Sequence, residues 1–206
     1  MLLIWGRKNS VNVQKVLWCC EEMKLEYERV DAGGDFGVVN TPEYRKLNPN
    51  GLVPTIEDDG FALWESNVIV RYLAGKHDVR PLWPDDLSVR ALADQWMDWS
   101  QTTFWPTMRV LFLGLIRTPP EKRDPQALEA SRLKTAETLR ILDAHLQSRE
   151  YVGGAAFTIG DIPLGCGIWR WMALPIERPE LPNVQRWFNA LTQRPAYRNI
   201  VMLPLT

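Results

Sequence analysis

The residues best suited to chemistry cluster in the first third of the chain. Ser10-Val11-Asn12-Val13 places a hydroxyl and an amide within one turn of each other, just after a short apolar run. At a helix start such groups cap free backbone N–H groups or donate hydrogen bonds to an anion, and the two roles are compatible. Asn48-Pro49-Asn50-Gly51-Leu52-Val53-Pro54 is a turn closed by an X-Pro bond. A cis proline there is a feature kept in tight turns; a trans proline on an edge strand is the alternative. Glu65-Ser66-Asn67 opens another helix. Ser66, read as its N-cap, offers a hydroxyl and neighbouring free N–H groups to a carboxylate, and Glu65 offers a negative charge to a cation.

Other reactive residue types point away from their usual chemistries. Cys19, Cys20 and Cys166 are odd in number, two are adjacent, and no Cys-x-x-Cys occurs. A disulfide framework or structural zinc is therefore not expected, and the thiols read as small buried hydrophobes. His77 and His145 have no spacing that brings them together, so no metal site is expected. The formal charge of −1 over 206 residues, with no basic arm or face, argues against nucleic-acid binding. No apolar run approaches the ~20 residues of a membrane span. The first residues lack the basic start and cleavage site of a signal peptide, so the expected location is cytoplasmic.

The elements that position these residues differ between the two halves of the chain. Leu2 to Trp5 reads as a strand, and a helix from about Ser10 to Lys24 buries Val13, Val16, Leu17 and Cys20 on one stripe. Tyr27 to Asp31 is a second strand, parallel to the first by the strand–helix–strand order. Thr41 caps a short helix with Pro42 at its first position. Val53 to Asp58 and Phe61 to Trp64 flank Asp59-Gly60, a hairpin signal. The helix after Ser66 is expected to turn Val68, Ile69, Tyr72 and Leu73 inward. Residues 1–76 therefore form an α/β unit, 77–84 with Pro81 and Pro84 a linker, and 85–206 an all-helical unit. In the latter, Pro106 is expected to kink a long aromatic-rich helix. Leu139, Leu142 and Leu146 mark the seam of a helix ending near Arg149. Thr158 and Asp161 make a capping box before a helix from about Ile162 to Leu174, and a last helix spans about Asn183 to Gln193.

Together these motifs resemble the cytosolic glutathione transferase family over essentially the whole chain, especially serine-type phi- and theta-like members from bacteria. The resemblance implies an N-terminal thioredoxin-like domain followed by a C-terminal helical bundle. It implies glutathione as co-substrate, with the Ser10 hydroxyl donating to its sulfur and Asn12 as a second donor. A free thiol has a pKa near ~8.5, so a donor and the positive helix end are what raise its thiolate fraction. It further implies that Val53, presented by a cis Pro54, meets the cysteinyl unit, and that Ser66 and Glu65 hold the γ-glutamyl carboxylate and ammonium. Asn40 and Leu52 stand where family members carry residues for the glycyl end, which leaves Arg7, Lys8 or Arg109 as substitutes. By order along the chain, Phe104, Trp105, Met108, Arg109 and Phe112 are candidates for the pocket of a small hydrophobic electrophile. Attack of the thiolate on that electrophile is the expected reaction, with detoxification as its role and a homodimer as its assembly. A glutathione-dependent peroxidase or disulfide-bond reductase, and a non-catalytic transferase-like binding module, are the alternatives.

Overall fold

The computed structural model describes residues 1–206. Strands β1 (Leu2–Trp5), β2 (Tyr27–Val30), β3 (Thr55–Asp58) and β4 (Phe61–Trp64) form one sheet in the order β2-β1-β3-β4. β1 and β2 are parallel, with Trp5 opposite Val30. β3 runs antiparallel to both β1 and β4, with Ile4 opposite Ile56 and Ile56 opposite Leu63. Helices α1 (Val11–Met23), α2 (Pro42–Leu47) and α3 (Ser66–His77) complete this thioredoxin-like half. Thr41 caps α2 as its sequence implies, accepting from the Tyr44 N–H at 3.3 Å.

The second half is helical: α4 (Leu87–Trp99), α5 (Trp105–Ile116), α6 (Pro125–Leu146), α7 (Asp161–Ala173), α8 (Pro182–Thr192) and α9 (Pro195–Ile200). Asp86 caps α4 by accepting from the Ser88 and Val89 N–H groups at 2.7 and 3.0 Å. The expected proline kink takes a different form. Ser100–Phe104 is a π-helical turn joining α4 to α5, and the Trp105 N–H reaches back five residues to the Ser100 carbonyl. The wider turn gives room to the ring of Pro106, which has no N–H to contribute. α6 stops at Leu146, short of Arg149, and α9 is a short extra helix after Arg194.

One apolar core runs through both halves, because α1 is buried on nearly every side from Val13 to Cys20. Trp18 on α1 packs its ring 4.8 Å from that of Tyr197 on α9 and 5.3 Å from Phe157. α7 can lie this close to α1 only through Gly165, where an added Cβ would come within 2.8 Å of the Trp18 ring. On α3 the inward set is Asn67, Ile69, Val70, Leu73 and Ala74, whereas Val68 is exposed. Helical phase places Val68 on the outer face and Val70 on the inner one. Asp161 is fully buried before α7 and ties four donors: the N–H groups of Val152 (3.0 Å) and Thr158 (2.9 Å), the Thr158 hydroxyl (3.3 Å) and Trp187 Nε1 (2.9 Å). The Thr158–Asp161 capping box is thus part of a larger buried network.

Candidate active site

The turn between α2 and β3 is built around buried Asn48. Its Nδ2 donates to the Leu52 carbonyl (2.9 Å) and Thr55 Oγ1 (3.1 Å), and its Oδ1 accepts from the Asn50 N–H (3.0 Å) and Nδ2 (3.1 Å). The Tyr44 hydroxyl adds a 2.7 Å bond to the same Leu52 carbonyl. With Leu52 pinned, the Val53–Pro54 bond is cis. The backbone N–H and C=O of half-buried Val53 are left without an intramolecular partner. An unpaired extended residue of this kind can pair with the backbone of a peptide-like ligand. Gly33, at a φ of 77°, lets the loop after β2 approach this point, since a Cβ there would lie 3.2 Å from the Val53 methyls.

Across from Val53 is the start of α3. The expected Ser66 cap is corrected by one residue. Glu65 occupies the N-cap position at φ 74°, and Ser66 is the first helical residue. Positive φ at a non-glycine residue is uncommon and costs about 1–3 kcal/mol, and such residues concentrate at functional sites. Glu65 is exposed and accepts from Gln101 Nε2 at 3.5 Å. Ser66 is buried, and Lys15 Nζ donates to its Oγ at 3.4 Å. α1 contributes the third wall. Asn12 is exposed on its first turn, and a cleft is lined by Asn12, Asn48, Asn50, Leu52, Val53, Pro54, Trp64, Glu65 and Ser66.

Ser10 lies just before α1 and is 8% exposed. It occupies the cap position, yet its hydroxyl makes no cap bond and no other side-chain hydrogen bond, so it is free to donate elsewhere. Its backbone is held by Arg7, whose carbonyl accepts from the Ser10 N–H at 3.2 Å. On the inner side, Arg170 of α7 crosses between the halves to the Asn9 carbonyl (3.2 Å) and Gln14 Oε1 (2.9 Å). Burial lowers the Arg170 pKa to about 10 and that of fully enclosed Lys15 to about 8.

Two family profiles match the chain: "Glutathione S-transferase, N-terminal domain" over residues 9–76, and "Glutathione S-transferase, C-terminal domain" over residues 104–195. It is 42% identical over the full length of both chains to glutathione S-transferase GstB of Escherichia coli. The chain belongs to the glutathione S-transferase family. A solved theta-class glutathione S-transferase of Xanthomonas axonopodis pv. citri, with glutathione bound, superposes with a TM-score of 0.96 at 49% identity, covering 100% of this chain and 99% of that one. Glutathione S-transferase F11 of Arabidopsis thaliana is 28% identical over 97% of each chain.

Within this transferase the sequence-derived site divides. Asn12, Leu52, Val53, Pro54, Glu65 and Ser66 line one cleft, and Ser10 stands two residues from it without lining it. Asn40 lies outside, exposed, accepting from Arg45 Nη2 at 3.0 Å. The expected electrophile pocket is not gathered as a cavity. Phe104, Met108 and Phe112 are buried in the main core, Trp105 is half-buried against Phe112 and Arg109 is exposed. Phe104 stacks on Trp99 and fills the space that Gly167 leaves. Open space lies instead in a hollow of about 470 Å³ between the loop before Ser10 and the C-terminal tail, lined in part by Arg7, Lys8, Asn9, Phe36 and Leu203. Sequence reasoning missed Lys15, Asn48, Asn50 and Trp64. Asn48 was legible as a turn residue, and nothing in the pattern marked Lys15 as enclosed.

Proposed function

We propose that glutathione lies extended along the cleft as co-substrate. Its γ-glutamyl end meets Ser66 and Glu65, its cysteinyl backbone pairs with Val53, and its sulfur is turned toward the start of α1. The thiolate, held by the Ser10 hydroxyl with Asn12 as second donor, displaces or adds to a small electrophile. The observation that carries this reading is the unpaired Val53 backbone beside cis Pro54, facing the free start of α3 across one cleft. The electrophile enters by the hollow next to Arg7 and Leu203, not through the buried aromatics of α5. The working protein is a cytoplasmic homodimer; exposed Leu52, Phe61, Val68 and Val110 supply apolar surface for pairing, and two-fold dimers are the commonest assembly.

The test is turnover of glutathione with an aryl halide, read as conjugate formed, with retention on immobilised glutathione as the binding control. Retention without turnover leaves a binding module. Position favours one alternative chemistry: Asn12, unlike Ser10, lines the cleft itself. A glutathione-dependent disulfide-bond reductase or peroxidase led by Asn12 would instead turn over a mixed disulfide or a peroxide and leave the aryl halide untouched.

A further inference from the structure

Lys15 is an unusual residue to find inside a protein. It is 5% exposed, sits on the second turn of α1, and has no carboxylate within ion-pair distance. Its one hydrogen bond is the long 3.4 Å contact with Ser66 Oγ, which leaves most of its donor capacity unused. An ammonium is ordinarily buried only with a paired charge. The groups around it do not supply one. Cys166 is a buried thiol that enclosure keeps neutral, with its pKa raised to about 12. Arg170 carries a like charge, and Glu65 acts only weakly from an exposed position. Ser66 stands between this cation and the cleft, at a helix start whose first N–H groups have no intrahelical acceptors.

We propose that Lys15 is a positioning residue whose buried charge is completed by the ligand: it acts through Ser66 as the counter-ion of the γ-glutamyl carboxylate of glutathione. The inference rests on the reading that this cleft holds glutathione. The Lys15 ammonium donates to Ser66 Oγ, and the Ser66 O–H in turn donates to the carboxylate, so the chain of donors runs from inside the protein to the ligand. A hydroxyl that accepts from a cation is polarised into a stronger donor. The arrangement also sets a preference: a neutral group in place of the carboxylate leaves the buried cation without its partner.

Enclosure lowers the Lys15 pKa to about 8, and Arg170 pushes the same way while Glu65 opposes it. A carboxylate arriving at Ser66 raises it again, so binding near pH 8 takes up a proton. The carboxylate ligand then loses affinity as pH rises through the free-state pKa.

The experiment uses S-methylglutathione, which has no ionisable thiol, and its analogue with the γ-glutamyl α-carboxylate converted to an amide. Both are titrated by calorimetry into wild type, Lys15→Met and Lys15→Arg. Hydrogen bonds to charged groups set the expected scale: wild type prefers the carboxylate ligand by about tenfold to a hundredfold. Lys15→Met loses most of that preference by weakening the carboxylate ligand alone, and Lys15→Arg restores part of it. Equal weakening of both ligands, or an undiminished preference, overturns the proposal while leaving the cleft assignment intact. Binding of neither ligand to wild type overturns both. Should Lys15→Met not fold, wild type carries the test: proton uptake at pH 8 in buffers of different ionisation enthalpy is expected with S-methylglutathione, and its absence refutes the role.

Discussion

Replacing Ser10 by alanine isolates the group that sets the acidity of the bound thiol. Ser10 caps nothing through its side chain. Its backbone bonds, from its N–H to Arg7 and from the Gln14 N–H to its carbonyl, do not involve Oγ. The fold should therefore keep its stability to within about 0.5 kcal/mol, the scale of a neutral substitution. A hydrogen bond to a charged group contributes ~1.5–3 kcal/mol, against ~0.3–1 kcal/mol for a helix end near the surface. At about 1.4 kcal/mol per pKa unit, losing the hydroxyl raises the thiol pKa by about one to two units. The thiolate fraction at neutral pH, and with it the rate, falls about tenfold to a hundredfold and recovers as pH is raised. The assay is the ultraviolet absorbance of enzyme-bound thiolate against pH, for wild type, Ser10→Ala and Asn12→Ala, with Asn12→Ala shifting less. An unchanged titration in Ser10→Ala together with a shifted one in Asn12→Ala would reverse the roles. A drop of several degrees in the Tm of Ser10→Ala would show that the hydroxyl is structural after all.

Asp161→Ala strands the N–H groups of Val152 and Thr158 and the Trp187 indole inside the helical half. At ~1–3 kcal/mol for each of the three buried orphans the expected loss is on the order of 3–9 kcal/mol, or roughly 6–36 °C in Tm, and calorimetry showing under about 1 kcal/mol would contradict it. Burial also lifts the Asp161 carboxyl to about 6, above its unfolded value near ~3.9. Its protonation therefore favours the folded state fully below about pH 4, and that contribution is lost as pH rises through 6. Stability relative to Asp161→Asn should accordingly fall across that window, and a flat difference would refute the shift. Cys19, Cys20 and Cys166 are all buried, with burial holding the thiols of Cys20 and Cys166 up at about 12. A chromogenic disulfide reagent near neutral pH should label none of the three until denaturant is added; one fast-reacting thiol in the folded protein would count against this.

The succession of strands and helices in the first half, with its parallel first pair and closing hairpin, was legible because it rests on local signals: apolar runs, an Asn-Pro-Asn-Gly turn, Asp59-Gly60. The cis Val53–Pro54 bond and the meeting of that turn with the α3 start followed only from the family resemblance, since the local pattern left a trans proline open. The burial of Gln14 and Lys15 was not legible. Polar residues in an amphipathic helix read as a solvated face, and that rule fails for a helix covered by α3 on one side and α7 and α9 on another. Glu65 was misassigned because a cap at positive φ is a conformation that sequence rules reserve for glycine. Phe104, Met108 and Phe112 have spacing that fits a pocket wall and a core equally. What places them inside is long-range: Gly167, from a helix some sixty residues later, makes the space that Phe104 fills.

The burial of α1 also governs how the protein is made. Trp18 is synthesised early, but Phe157, Gly165 and Tyr197, which enclose it, follow well over a hundred residues later. At ~5–20 residues per second the nascent N-terminal half waits roughly 6–24 s for Tyr197, with an indole, two thiols and an unpaired ammonium facing water. Over that interval the face of α1 that the second half covers stays open, and a newborn chain released early presents an apolar helix face suited to capture by a chaperone or a protease. The same dependence makes residues 1–76 a poor fragment to express alone, since the face that would meet solvent is the one the second half exists to cover.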